Sequence, residues 1–295
     1  MTLPEPTLEY WVVDVFADRV FAGNPLAVVL DADALTTEQM QTLAREFNLS
    51  ETTFPVATSA AGADYRLRIF TPTSELPFAG HPSVGTAWLL QSIGRIKPGR
   101  IVQECLAGLM PLEVTPESVT LTGGTPELGD VVDVATLCAA VGLDEADVVE
   151  GAQPRWAGCG LSWTFLRVND DAIGRTQPDL ARLTELTESG PNRAGVSVLS
   201  WDDGRAHARV FATGVGVPED PATGSAALGL GVWLVATGLV PGDGVTSYEI
   251  AQGAEMLRPS RLSCVVRADA GRAVECQVRG TVQPVAHGRI AVPQR

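Results

Sequence analysis

Two stretches of the chain, with starts 139 residues apart, share one pattern: His81-Pro82-Ser83-Val84-Gly85-Thr86-Ala87-Trp88-Leu89 and Asp220-Pro221-Ala222-Thr223-Gly224-Ser225-Ala226-Ala227-Leu228. Each follows a segment ending in phenylalanine, Phe70 or Phe211. Each also runs into a similar stop, Gly94-Arg95-Ile96-Lys97-Pro98-Gly99 or Gly238-Leu239-Val240-Pro241-Gly242. A repeat of this length indicates two homologous domains rather than a solenoid. Between residues 76 and 94 the only titratable side chain is His81, and Pro221 to Gly242 carries no charge at all. A helix that is apolar around its whole circumference must be buried on every side, which a strand-rich domain achieves by curling its sheet around it. The expected fold is therefore α+β: two pseudo-symmetric domains, each a barrel-like, mostly antiparallel sheet wrapped around a central helix. The expected limits are 1–124, with a C-terminal strand at 284–295 returning to that domain, and 125–283. Pro82 and Pro221 are expected at the first helical position, which puts His81 and Asp220 at the N-caps.

The rest of the sequence reads as many short strands with few helices. Alternation is clearest at Tyr65 to Ile69, where Arg66 and Arg68 fall on the face opposite Tyr65, Leu67 and Ile69. Other strands are expected at Tyr10 to Val15, Pro25 to Leu30, Trp163 to Val168, Gly195 to Trp201, His207 to Phe211, Ser247 to Ala251, Leu262 to Ala268 and Ala273 to Val278. A surface helix is legible at Thr37 to Phe47: Thr36 and Gln39 form a capping box, Met40, Leu43, Ala44 and Phe47 form the inward stripe, and Asn48 ends it. Helices are also expected at Asp133 to Val141 and Pro178 to Leu186, from their acidic or proline starts.

Composition excludes several classes. A formal net charge of −14 works against binding to phosphate backbones or anionic membranes, and 45% hydrophobic with 19% charged residues is ample for packed cores. The Pro221–Gly242 segment is long enough to span a bilayer, but its glycines, its prolines at both ends and its lack of flanking basic residues favour a helix buried in a domain. The N-terminal segment has no basic start and apolar run of the kind a secretory signal needs. The five cysteines make no paired spacing and the three histidines no ligand spacing, so neither a disulfide framework nor a metal site is expected; nor is there a glycine-rich phosphate loop. The expectation is a cytoplasmic protein without cofactor or metal, whose partners are a small-molecule substrate and a second copy of itself in a homodimer, with no nucleic acid and no membrane.

Two helix N-termini facing each other across the domain boundary would make an anion-attracting cleft. That cleft would hold His81, Asp220 and Ser225. Glu51, in Asn48-Leu49-Ser50-Glu51-Thr52, adds a carboxylate where the chain re-enters a strand. Each of these residues alone has an ordinary reading: a solvated glutamate, a structural imidazole, a helix cap. Different polar residues at equivalent points of two otherwise apolar repeats point instead to a symmetric ancestral site that became specialised.

In order along the chain, five segments carry a resemblance. They are Asp14-Val15-Phe16 with Phe21-Ala22-Gly23-Asn24-Pro25-Leu26-Ala27-Val28; Ala44 through Phe54; Arg68-Ile69-Phe70-Thr71-Pro72 with Glu75 through Pro82; Glu219 through Ala226; and Gln252-Gly253 with Arg258-Pro259-Ser260. On these the chain resembles the PhzF-like family of phenazine biosynthesis, whose fold is that of diaminopimelate epimerase. The resemblance implies a cofactor-independent isomerase with its acid/base glutamate at Glu51. It implies His81 and Asp220 as further catalytic residues, and Asn24, Gly80, Gly224 and Ser225 as substrate-binding residues. The epimerase relatives exchange protons through two cysteines at the helix starts; this chain has none there, which puts two-thiol racemisation in doubt. Cys159, in Gly158-Cys159-Gly160, reads as structural.

The expected chemistry is isomerisation of a small carboxylated, unsaturated or cyclic metabolite, of the trans-2,3-dihydro-3-hydroxyanthranilate type. A single glutamate, desolvated so that it can both give and take a proton, would carry it. The alternatives are an epimerase pairing Glu51 with Asp220 or His81, and a non-catalytic metabolite-binding protein.

Overall fold

The computed structural model describes residues 5–294. Residues 1–4 and 295 lie outside the described residues, and with them the outermost limits of the first expected domain and the start of the segment read as lacking a secretory signal. The chain forms two compact units, Met1–Leu121 with Arg279–Arg295, and Thr122–Val278.

In the first unit, β1 (Thr7–Val15) and β2 (Asn24–Val29) are antiparallel, β3 (Glu51–Val56) runs parallel to β2, and β4 (Tyr65–Phe70) antiparallel to β3. The short β5 (Glu75–Leu76) pairs with β4, and β6 (Gly99–Cys105) runs parallel to β4. Then β7 (Gly108–Val114) and β8 (Ser118–Thr122) follow antiparallel. The chain's last strand, β17 (Arg272–Ala291), pairs with β1 and β8 and closes an eight-stranded barrel. The connection that parallel β2 and β3 require is α1 (Thr37–Phe47). Its reciprocal Thr36–Gln39 cap and its left-handed Asn48 end are those expected from sequence. Met40, Leu43 and Ala44 bury against Val29, Phe54 and Phe70.

The second unit repeats this plan. Strands β9 (Glu127–Val131), β10 (Arg155–Gly158) and β11 (Ser162–Arg167) are successive antiparallel neighbours, β12 (Arg193–Asp202) is parallel to β11, and β13 (Arg205–Ala212) antiparallel to β12. The short β14 (Val217–Asp220) pairs with β13, β15 (Gly244–Gln252) runs parallel to β13, and β16 (Ser260–Asp269) antiparallel to β15. From β10 to β16 every pairing has the same sense as its counterpart from β1 to β7. Helices α3 (Val134–Val141), α4 (Asp170–Ile173) and α5 (Leu180–Glu188) share one apolar cluster with Leu166, Val196, Val198 and Phe211. The neighbouring Phe165 turns the other way, toward Trp233.

Inside each unit lies one helix, α2 (Gly80–Ser92) and α6 (Gly224–Ala236), with ten and eleven of 13 residues buried. No described helix is long and apolar enough to cross a membrane. The duplication extends to a matched pair of ionic forks: Arg68 grips Glu75 at 2.8 and 2.6 Å over the Phe70 ring, and Arg209 grips Glu219 at 2.8 and 2.9 Å over the Phe211 ring. Each fork ties the strand before the central helix to the short strand leading into it.

Three expectations need correction. First, α2 begins at Gly80 with Ala79 as N-cap, so His81 and Pro82 lie inside its first turn. Second, α6 begins at Gly224 with Thr223 as N-cap, leaving Asp220 at the end of β14. The helices therefore start 144 residues apart, a separation shared by Glu75 and Glu219 and by the left-handed Gly94 and Gly238. The structural counterpart of His81 is Ser225, not Asp220. The sequence match at 139 slipped because identical Pro, Gly and Ala letters were aligned across two helices that start at different points relative to them. Third, α5 starts at Leu180 under an Asp179 cap, two residues after Pro178.

Candidate active site

Glu51 opens β3, and Asn24 opens β2; the parallel pairing sets Glu51 opposite Leu26, so both residues sit at one end of the first barrel. His81 enters from the second position of α2. All three side chains are buried: Glu51 is 6%, Asn24 0% and His81 4% exposed. Ser50 Oγ donates to Asn24 Oδ1 at 3.1 Å, which orients the amide so that its Nδ2 faces His81 Nδ1 at 3.2 Å. His81 Nε2 lies 3.3 Å from Glu51 Oε2. Burial pushes the imidazole down to about 3, so it is neutral. Its Nδ1 lone pair then accepts from Asn24, and Nε2 carries the hydrogen toward Glu51. This contact is a neutral N–H facing a carboxyl group rather than an ion pair.

The first turn of α2 is held from beneath by buried polar side chains. Tyr65 Oη donates to Gln103 Oε1 at 3.0 Å, Gln103 Nε2 to Ser83 Oγ at 2.9 Å, and Ser83 Oγ to the Ala79 carbonyl at 2.9 Å. One turn on, Thr86 and Thr53 hydroxyls meet at 2.9 Å, joining the helix to the strand that carries Glu51. A chain of satisfied buried groups fixes orientation more tightly than apolar packing alone. His81 and Glu51 therefore face each other across a rigid frame.

In the second unit the polar residues gather around the segment leading into α6. Asp220, 7% exposed, accepts the Thr223 hydroxyl at 2.6 Å. Gln252 at the end of β15 donates to the Asp220 carbonyl at 2.6 Å and to Thr223 Oγ1 at 3.0 Å, and accepts from Thr223 N–H at 3.3 Å. This amide ties Asp220 to Thr223 around a non-helical segment that bends at Pro221, and α6 starts only after it. Next to it, a Cβ on Gly253 would come within 2.6 Å of the Pro221 carbonyl, and its φ is +77°. Only glycine fits there. Gly224 and Ser225 form the first turn of α6, as Gly80 and His81 form that of α2. Neither N-cap side chain bonds its helix.

The structure thus brings Asn24, Glu51, His81 and Gly80 together in the first unit. Asp220, Gly224 and Ser225 come together in the second. Sequence reasoning missed Ser50, Thr223 and Gln252, the residues that orient Asn24 and Asp220. For Gln252 a signal existed: it continues the inward phase of Tyr248 and Ile250 along β15, and a polar residue in an inward phase needs partners. The other two histidines lie elsewhere: His207 contacts Asp170 and Glu255, and His287 contacts Glu9 and stacks on Trp11. Among the described residues no group of three or more His, Cys, Asp or Glu could hold a metal. All five cysteines are free and buried.

The profile of the family described as phenazine biosynthesis-like protein matches residues 13–288. A trans-2,3-dihydro-3-hydroxyanthranilate isomerase of Pseudomonas aeruginosa is 34% identical, over 95% of this chain and 98% of its own. An uncharacterised isomerase of Pasteurella multocida is also 34% identical, over 96% and 94%. Among solved structures, a PhzF-family phenazine biosynthesis protein of Bacillus anthracis superposes with a TM-score of 0.87 at 25% identity, over 97% of this chain and 100% of its own.

Proposed function

This isomerase belongs to the phenazine biosynthesis-like protein family, and from that premise we propose that it moves a proton between two carbons of one small metabolite, with Glu51 as the acid/base group. The observation that carries this reading is the buried Glu51 carboxyl facing a neutral His81 whose tautomer is set by Asn24 and Ser50. Glu51 takes a proton from one carbon, the electron pair shifts along the adjacent unsaturated system, and the protonated carboxyl returns the proton at another carbon. Atoms and charge balance without an electron carrier. His81 presents its Nε2 hydrogen toward Glu51 at 3.3 Å and keeps the surroundings of the carboxyl free of charge, while the first-turn N–H groups at Gly80 favour a carboxylate of the substrate beside them. General acid/base catalysis of this kind supplies a factor of about 10² to 10⁴, and orientation supplies more.

The substrate class is a small carboxylated, unsaturated or cyclic metabolite. The names of the relatives make trans-2,3-dihydro-3-hydroxyanthranilate the first compound to try. Burial that pushes the His81 imidazole down to about 3 makes it a weak base, and its Nδ1 lone pair is already taken by Asn24, which argues against its serving as the opposing base of an epimerase. We place the enzyme in the cytoplasm as a homodimer; light scattering giving a monomer mass would correct the second point. Turnover in heavy water followed by product analysis tests the reaction class: isomerisation gives a product with its hydrogen on a new carbon, carrying deuterium there to the extent that protonated Glu51 exchanges with solvent; epimerisation puts deuterium at the original carbon; and a binding protein leaves the compound unchanged.

A further inference from the structure

The turn between β1 and β2 holds two phenylalanines, Phe16 and Phe21, in left-handed backbone geometry, with φ of 59° and 61°. A bulky side chain is strained in that region. For Phe16 the compensation is visible. Its ring is fully buried and fills the space over Gly280, where even a Cβ would come within 2.3 Å of it. Phe21 shows no such compensation within its unit, for the residue is 65% exposed. The chain nevertheless holds it in place. The Phe21 N–H donates to Asp14 Oδ2 at 2.6 Å, and Asp14 is 1% exposed, so a buried carboxylate is committed to fastening this turn. A strained backbone, a buried anchor and an outward-facing aromatic ring together point to a ligand as what the ring meets.

The position of the turn says which site the ring stands beside. The β1–β2 ladder ends with Val15 opposite Asn24, so residues 16–23 stand at the end of the strands where β2 opens with Asn24 and its parallel neighbour β3 opens with Glu51. Phe21 stands three peptide steps before Asn24, at most about 11 Å of extended chain.

We propose that Phe21 is a specificity-determining residue, the wall on which a flat, ring-bearing carboxylate substrate rests beside Glu51. The proposal rests on the reading of Glu51 as the reacting group. An aromatic face stacks on a planar unsaturated ring and gains little from an open-chain acid. Val20, also exposed at 40% but without the anchored left-handed backbone, provides a neighbouring control.

The test is calorimetric titration of the wild type, Phe21→Ala, Phe21→Tyr, Val20→Ala and Glu51→Gln with 3-hydroxyanthranilate, a flat ring acid, and with fumarate, an open-chain one. The wild type should prefer the ring acid. Phe21→Ala should lose about tenfold or more of that affinity, with an unchanged melting temperature and with KM rather than kcat affected in turnover. Phe21→Tyr, Val20→Ala and Glu51→Gln should bind as the wild type does. Wild-type affinity in Phe21→Ala, a wild type that does not prefer the ring acid, or a fall in melting temperature on removing the ring would overturn the proposal. Full turnover by Glu51→Gln would instead refute the acid/base reading, and the Phe21 binding result would be read separately from it.

Discussion

Replacing His81 by Asn makes the buried imidazole measurable through stability. Asn Oδ1 can take the place of Nδ1 as acceptor for Asn24, so the variant removes the titrating group while keeping the 3.2 Å hydrogen bond. In the folded chain burial pushes His81 from 6.5 down to about 3. Between those values the unfolded chain binds a proton that the folded chain cannot, so stability falls as pH drops from above 6.5 toward 3 and levels off below. At pH 5 the unfolded imidazole is about 1.5 pH units below its midpoint, which corresponds to a loss of about 2 kcal/mol relative to pH 7. Carboxylates away from position 81 are common to both proteins and cancel in the difference, and making the comparison in a Glu51→Gln background removes the one that faces His81. Urea unfolding at pH 7 and pH 5 should therefore show the wild type losing about 2 kcal/mol more than His81→Asn. Equal losses would mean that the folded chain binds the proton at His81 as readily as the unfolded chain at pH 5, and the burial that keeps the imidazole neutral beside Glu51 would have to be abandoned.

Gln252→Leu leaves the Asp220 carbonyl and the Thr223 N–H buried without their partner, and should cost about 2 to 4 kcal/mol in urea unfolding. Arg→Lys at each fork keeps the charge but loses the two-pronged grip. Because Arg209 also donates to the carbonyls of Ile173 and Thr176, Arg209→Lys should cost about 2 kcal/mol and Arg68→Lys about 1, and the reverse order by the same measurement would contradict the assignment. Ring or unsaturated carboxylic acids should raise the melting temperature more than their amides do, because the uncapped first turns of α2 and α6 favour an anion; equal shifts would remove the anion-site argument.

Much of the fold is readable in the letters because local chemistry and burial agree. The Thr36–Gln39 cap, the alternation of Tyr65 to Ile69 and the uncharged central helices each have one physical solution, and the structure adopts it. The duplication was legible, but its register was not. The sequence pattern weights identical prolines and glycines, whereas the segment before α6 is held out of the helix by Gln252, which bonds Asp220 and Thr223 from a strand about thirty residues away. No local signal carries that bond. The same holds for Ser50 and Asn24, joined across 26 positions, and for the Tyr65–Gln103–Ser83 chain under α2. Candidate reacting groups can be named from sequence, but the partners that orient them are long-range and become visible only once the barrel has brought the strands together.

The central claim is that Glu51 itself carries the proton. Glu51→Gln keeps the side chain's shape and its contact with His81 but cannot exchange a proton. Steady-state isomerisation of the compound that the wild type turns over should fall in this variant by a factor of about 10² or more with ligand affinity retained. Turnover near the wild-type rate would contradict the account.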